Sequence, residues 1–165
     1  MAKLLRSLPQ IGKVEWIGLR PARRVGIVSV ETVEVTEKGL TGDRYQKMNG
    51  KRQVTLIQAE HLTAVGQLMQ QQKTVDPQET RRNLVISGIN LNALKNQQFQ
   101  IGSAVVLEGT GYCHPCSRME ENLGPGGYNA MRGHGGITAR ILQTGTIRVG
   151  DSVRFISPSD QPDTV

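Results

Sequence analysis

The sequence predicts a mainly β domain with a few peripheral helices, its strands pairing mainly antiparallel and open to closing into a barrel-like sheet. Three observations carry that prediction. Short apolar segments recur between turn residues through most of the 165 residues, glycine-led pairs divide two of those segments, and one stretch alone has strong helical periodicity. A doubly wound parallel sheet would instead alternate strands with helices from end to end.

In order along the chain, VEWIGL (14–19) is a strand that meets the run RRVGIVSVETVEV (23–35) across Pro21 and Ala22, and QVTLI (53–57) is a further apolar strand. QAEHLTAVGQLMQQQ (58–72) is the clear helix. Leu62, Val65, Leu68 and Met69 recur at its helical spacing, with Glu60, Gln67 and Gln71 off that stripe. The polar stretch KTVDPQETRR leads into the strand NLVISGINL. In FQIGSAVVLE and GTIRVGDSVRFI, Gly102-Ser103 and Gly150-Asp151 divide strand-like runs. Such pairs suit two-residue hairpin turns, because glycine takes the positive φ that matches strand twist. Residues 1–13 read as an N-terminal extension, 14–156 as the domain, and 157–165, polar and proline-bearing, as a frayed tail.

A chain of this length can bury a core without staples. Its start, MAKLLRSLPQIGK, has no apolar stretch longer than two residues, so neither a secretory signal nor a membrane span is read from it, and the expected location is the cytoplasm. A net charge of +6 points to an anionic partner. With 4% aromatic residues and basic pairs scattered at Arg23-Arg24, Lys51-Arg52 and Arg81-Arg82, the single-strand stacking pattern is missing, and nucleic acid is set aside in favour of a small anionic molecule.

The two cysteines, Cys113 and Cys116, flank His114 and Pro115 in GTGYCHPCSRMEENLG. In a reducing compartment such a pair is a metal, nucleophile or redox candidate before it is a staple. Ser117 to Glu120 fits a capping box, which would put Cys116 just before a helix N-cap, where backbone N–H groups and the peptide dipoles favour its thiolate. Four uses stay open. Zinc would need further ligands, and His61, His114 and His134 lie at no finger spacing. A thioredoxin-like exchange centre would want a βαβ context. A single thiolate at Cys116 would act as a soft metal ligand or a sulfur carrier. The fourth use is none: the pair merely packs, as free cysteines often do.

Around this pair the sequence offers charge and loops. TRRNLVISG puts Arg81, Arg82 and Asn83 at the mouth of a strand, where guanidinium forks suit phosphate oxygens and an amide can read a heterocycle edge. GLTGDRY carries Asp43 and Arg44 on a glycine turn. The loop 124–136 holds six glycines in thirteen residues, including Gly135 and Gly136, and carries Arg132 and His134 as a charge and a proton donor; its N–H groups are free to close on an anion.

Taken together, GLTGDRY, RQVTLI, RRNLVISGINL, FQIGSAVVLEGT, PCSRM, RGHGGITARIL and GTIRVGDSV resemble, in this order, the MOSC domain, the family named after the C-terminal domain of molybdenum cofactor sulfurase. The resemblance implies a closed β-barrel-like domain and gives Cys116 the position of the family's hallmark cysteine. In members similar to the amidoxime-reducing component that thiolate coordinates molybdenum held by a pterin dithiolene. In others it carries sulfur from a pyridoxal-phosphate-dependent desulfurase. The resemblance further implies that Arg81 and Asn83 contact the pterin and its phosphate; Arg82 stands where the amidoxime reducers carry proline. Asp43, Arg44, Arg82, Arg132, Gly135 and Gly136 complete the expected cofactor-binding set, with Cys116 as molybdenum ligand and His134 as proton donor. The implied activity is two-electron reduction of an N-hydroxylated small molecule by a molybdenum-cofactor oxidoreductase. Its electrons would come from a donor protein, since two cysteines cannot ligate a four-cysteine cluster. The alternative is a sulfur carrier bearing a Cys116 persulfide received from a desulfurase. A second copy of the chain, in a homodimer, is a further expected partner.

Overall fold

Alternation over 105–110, with Val105 and Leu107 buried and Val106 and Glu108 half-buried, marks a strand with one face on a core. Val54–Gln58 is buried at every position, as a strand must be when both its faces are covered. These two patterns frame the fold of residues 1–160, described by a computed structural model. The strands are β1 (Gly12–Leu19), β2 (Val28–Val30), β3 (Thr32–Thr36), β4 (Gly39–Leu40), β5 (Val54–Gln58), β6 (Leu84–Ser87), β7 (Gln98–Ile101), β8 (Val105–Tyr112), β9 (Ile137–Gln143), β10 (Gly145–Arg148) and β11 (Ser152–Ile156). The helices are the exposed turn α1 (Ala2–Leu5), α2 (Ala59–Leu68), α3 (Pro77–Thr80), α4 (Ser117–Leu123) and α5 (Gly127–Met131).

Seven strands close a mixed barrel in the order β11-β7-β8-β9-β5-β6-β1, with β1 returning to β11 through Gly12 opposite Val153 and Lys13 opposite Ser152. β1 serves three neighbours in succession: β11, then β6, then β2. An irregularity between Val14 and Trp16 shifts its register on β6 along the way. Val14, Ile17, Leu56, Leu84, Ile86, Phe99, Ile101, Leu107, Ile137 and Val153 fill the barrel. A second apolar cluster covers the outer face of β5 and β6, where Ile57 and Val85 meet Leu62 and Val65 of α2, Met119 of α4 and Met131 of α5. β10, β3 and β4 form a small separate sheet.

The barrel and its peripheral helices match the expected class, and several local expectations are corrected. β5 and β6 are parallel, a pairing that needs a crossover, supplied by α2 and α3. The run 23–35 is not one strand. Residues 20–27 form a largely exposed loop, β2 takes three residues on β1, and β3 turns away to the second sheet. Gly102-Ser103 does lie in a hairpin, but the pairing of Ile101 with Val105 leaves three residues in the loop. Gly150-Asp151 closes no hairpin: β10 pairs with β3 and β11 with β7 and β1, so the turn carries the chain between sheets. α2 stops at Leu68, four residues early, and Gln70 takes φ 57° as the chain folds back over Gly66. β1 begins at Gly12, two residues before the expected boundary. Of the tail expected to fray, Pro158–Asp160 form a 3-10 turn, and 161–165 lie outside the described residues.

The early end of α2 changes its apolar face: Leu62 is 3% exposed and Leu68 59% exposed. Leu62→Ala is therefore expected to cost about 2–5 kcal/mol in urea unfolding, against no more than ~0.5 kcal/mol for Leu68→Ala. Equal losses would contradict this burial.

Candidate functional site

Three consecutive side chains organise one end of the barrel. α3 starts on Asp76, whose carboxylate accepts from Gln78 N–H, with Pro77 at its first position. It ends after one turn at Arg81, which takes the left-handed conformation at φ 57°. The chain then enters β6, and Arg81, Arg82 and Asn83 diverge. Arg81 Nη1 donates to the Val25 carbonyl at 2.7 Å, tying down the 20–27 loop. Arg82, 6% exposed, donates to Thr80 O and Gly135 O at 2.9 Å and to Cys113 O and His114 O at 3.5 Å. Asn83 Nδ2 donates to Gly18 O and Asp43 Oδ1, while its Oδ1 accepts from Thr55 N–H and the Thr55 hydroxyl. Burial pushes the Arg82 guanidinium below its ordinary pKa, against the pull of Cys113 and Cys116.

Asp43 is the centre on the other side. Its carboxylate accepts from Arg20 N–H, Arg20 Nε and Nη2, Tyr45 N–H and Asn83 Nδ2, all between 2.8 and 3.2 Å. Burial alone would raise its pKa; the bonds and charge of Arg20, with the backbone N–H groups of Arg20 and Tyr45, outweigh it and hold the carboxyl below its ordinary value. With Asp43 committed to Arg20, the neighbouring cations keep their charge for a ligand. Arg20, Arg23, Arg44 and Arg52, with Tyr45 and Thr55, line a cleft of about 560 Å³, within the size range of small-molecule sites.

The cysteine segment borders this cleft. Cys113, 3% exposed, donates its N–H to Gly136 O at 2.8 Å, and its Sγ lies 4.0 Å from Arg52 Nη2. Cys116 is exposed. The expected capping box is not formed: Cys116 is itself the N-cap of α4, without a side-chain cap bond, and Ser117 is the first helical residue. Glu120 turns forward instead, its carboxylate accepting from Gly126 and Tyr128 N–H at the start of α5. Gly135 and Gly136 are closely packed backbone: a Cβ on Gly135 would overlap the Cys113 carbonyl, and one on Gly136 the Leu56 carbonyl. Together with Tyr112, Cys113, His114 and Pro115 they line a second, smaller cavity of about 140 Å³.

Of the residues expected from sequence, Asp43, Arg44, Arg81, Arg82, Asn83, Gly135 and Gly136 belong to one connected region that reaches the cysteine loop through Arg82. Arg132 is exposed at the end of α5. His134 is turned toward α2: Nδ1 is 3.2 Å from Ala130 O, and its ring meets His61 edge-on at 4.9 Å. Burial, then His134, pushes the His61 pKa down against the pull of Glu60. Sequence reasoning missed Arg20, Arg23, Arg52 and Tyr45. Arg20 directly follows β1 and Arg52 lies two residues before β5, so basic residues flanking strand ends were the available signal. Among the described residues no group of three or more His, Cys, Asp or Glu side chains is placed to hold a metal, and no helix is long and apolar enough to cross a membrane.

The MOSC domain family matches residues 23–154. β1 precedes that interval and is nonetheless a stave of the barrel. Among solved structures, the YuaD protein of Bacillus subtilis superposes with a TM-score of 0.79 at 16% identity, covering 91% of this chain and 98% of that one. YiiM of Geobacillus stearothermophilus gives 0.68 at 17% identity, covering 88% and 75%. YiiM of Escherichia coli gives 0.66 at 17%, covering 88% and 70%. At these identities the likeness is one of fold. No functionally curated protein matches the chain significantly.

The Asp43 cluster makes a stability prediction. Asp43→Asn is expected to cost about 3 kcal/mol in urea unfolding at pH 7, because it leaves Arg20 without its charge partner. The folded carboxyl titrates below its unfolded value of ~3.9, so its contribution is present above that pH and lost as pH falls through the folded pKa. Stability of the wild type should therefore drop more steeply below pH ~4 than that of Asp43→Asn; parallel pH profiles would count against the pairing.

Proposed function

The chain belongs to the MOSC domain family, and we propose that it binds a molybdenum cofactor and reduces N-hydroxylated small molecules. One observation carries this reading: four arginines converge on a single cleft, and one of them, Arg52, lies 4.0 Å from the sulfur of the buried Cys113, three residues before the exposed Cys116. A pterin dithiolene is anionic, bears a phosphate and brings two sulfur donors to its metal. It needs fixed cations, and at most a little sulfur, from the protein. Guanidinium forks meet the first need and an exposed thiol the second, so the residues present fit the group.

In this reading Arg20, Arg23, Arg44, Arg52 and Arg81 hold the phosphate and pterin, and Asp43 fixes the fork of Arg20. Asn83 positions Asp43. Arg82 holds the backbone of Cys113 and His114, and the bare Gly135 and Gly136 let that loop lie against the barrel. Cys116 supplies the thiolate that ligates molybdenum. When bound, the cofactor supplies two electrons, replenished by a donor protein; the substrate N–O bond breaks, two protons are taken up, and water leaves. In this reading His134, whose Nδ1 lies 3.2 Å from the Ala130 carbonyl and whose ring meets His61 edge-on, is the candidate to pass one of those protons.

A second reading, sulfur carriage on a Cys116 persulfide loaded by a pyridoxal-phosphate-dependent desulfurase, is favoured by the exposure of that thiol, which a partner enzyme must reach. Metal content separates the two. Protein purified from a host that makes the cofactor is expected to hold about one molybdenum per chain, lost in Cys116→Ser and retained in Cys113→Ser. Absence of metal, with cyanide-labile sulfur on the wild type after incubation with a desulfurase, would replace the first reading by the second. Identical behaviour of the two serine variants would refute the assignment of Cys116.

A further inference from the structure

The arginine cleft has a smaller neighbour, and Cys113 links the two. Its sulfur lies 4.0 Å from Arg52, which lines the cleft, and the same cysteine lines the cavity of about 140 Å³ on the cysteine loop. The two spaces differ in chemistry. Four guanidiniums line the cleft. The cavity is bounded by Asn92, Tyr112, His114, Pro115 and the backbone of the glycine loop, with no carboxylate, guanidinium or ammonium among its lining groups. An uncharged group gives up little hydration to enter such a space, and a charged one finds no partner in it. Pro115 directly precedes Cys116, so the cavity adjoins the proposed metal ligand in the chain.

Size and walls restrict the occupant further. A cavity of roughly 150 Å³ holds one benzene ring, so this one takes a single ring and is too small for two fused rings. Its glycine wall cannot retreat: Gly135 and Gly136 already lie against the carbonyls of Cys113 and Leu56, and Arg82 Nε holds the Gly135 carbonyl at 2.9 Å. Tyr112 is a second wall, with Lys95 Nζ 4.5 Å from its ring centroid. Tyr112, His114 and Gly133 are exposed, so the cavity opens to solvent and a ligand can enter. One lining group is free to orient it. The Asn92 N–H is taken by Asn90 Oδ1, but the Asn92 carboxamide has no hydrogen-bond partner among the described residues, which leaves both a donor and an acceptor. An amidoxime, with its NH2 group beside an N–OH group, is the complement of that pair.

We infer that this cavity is the substrate subsite, with Tyr112 and the glycine loop enclosing one ring and Asn92 orienting the N-hydroxylated group, so that the preferred substrates are uncharged compounds of a single ring. The charged cofactor is then left to the arginine cleft. The inference rests on the proposed reduction for the identity of its ligand, while the size limit stands on the cavity itself.

The test compares the holoprotein on benzamidoxime, which has one ring, and 1-naphthamidoxime, whose second ring is fused beside the reacting group. In wild type kcat/KM is expected to be about tenfold higher for the one-ring compound. Tyr112→Ala removes a wall at an exposed position and should bring the two values together, through a lower KM for the naphthyl compound; Tyr112→Phe, which keeps the ring, should retain the preference. Asn92→Ala should raise KM for benzamidoxime. Equal values for the two compounds in wild type, an unchanged preference in Tyr112→Ala, or an unchanged KM in Asn92→Ala overturns the inference. So does a loss of molybdenum from Tyr112→Ala, which would assign the cavity to the cofactor. If the wild type reduces neither compound, the proposed reduction fails, and a titration of the cofactor-free full chain with benzamidoxime decides the subsite. The side-chain N–H resonances of Asn92 and the backbone N–H resonances of Gly133 and Gly135 should then shift, and shift less with 1-naphthamidoxime at the same concentration; no shift with benzamidoxime, or equal shifts with both, overturns the subsite.

Discussion

A buried carboxylate is expensive to hold in a protein, and Asp43 is held because every direction open to it ends in a donor. The Arg20 fork, the N–H groups of Arg20 and Tyr45, and the amide of Asn83 surround it. Removing two charges from water costs several kcal/mol per ion after relaxation, so this pair specifies geometry more than it adds stability. What it specifies is the relation of three segments: the end of β1, the 41–45 turn and the start of β6. Arg44, whose N–H donates to Arg20 O at 2.7 Å, is carried into the cleft on that turn. The positive charge of the cleft survives because Asp43, the buried carboxylate beside it among the described residues, is already spent on Arg20.

Asn83 and Arg82 then link two halves that are far apart in sequence. Asn83 joins Thr55 and Asp43; Arg82 joins Cys113, His114 and Gly135. Successive residues at a strand entrance point to opposite sides, so a dipeptide can brace the arginine cleft with one side chain and the cysteine loop with the other. Arg82 is the less replaceable of the two. Lysine lacks the planar fork that reaches several carbonyls at once, and proline, which the amidoxime reducers resembled by this sequence carry there, has no donor at all. A chain with arginine at this position braces its cysteine loop internally.

The fold was legible in the sequence at the level of pattern. The apolar strand at 53–57 and the strand-like runs on either side of Gly102-Ser103 were readable, whereas the one-faced burial of 105–110 was not, because Val105, Val106 and Leu107 are apolar in succession. Partner choice was not legible, because Gly150-Asp151 has the composition of a hairpin turn whether the next strand pairs with the last one or joins another sheet. Only the Val153–Gly12 and Ile147–Val33 pairings decide it. The capping box failed for a related reason. Ser117 and Glu120 have the correct spacing, but Glu120 finds two N–H groups at α5, and a local pattern cannot register that competitor. At the site, RRN was visible as a charged strand entrance, while the division of labour within it depended on contacts 28 to 65 residues away in sequence.

Barrel closure explains why the arginines converge. β1 runs antiparallel to β6, and β6 runs parallel to β5. The end of β1 and the beginnings of β5 and β6 therefore share one rim, and Arg20, Arg52 and Arg81 flank those three termini. An all-antiparallel arrangement would send the start of β5 to the opposite rim and Arg52 with it. The parallel pair exists only because α2 and α3 span the crossover; α2 is retained by the second apolar cluster around Ile57, Val85 and Met119, and α3 is tied to α4 by the Asn122 amide on the Glu79 carbonyl. Met119 lies on α4, the helix opened by Cys116. One packed layer thus fixes both the strand direction that gathers the cations and the helix that presents the thiol, which makes the outer cluster, and not the barrel interior, the packing on which the relation between cleft and cysteine depends.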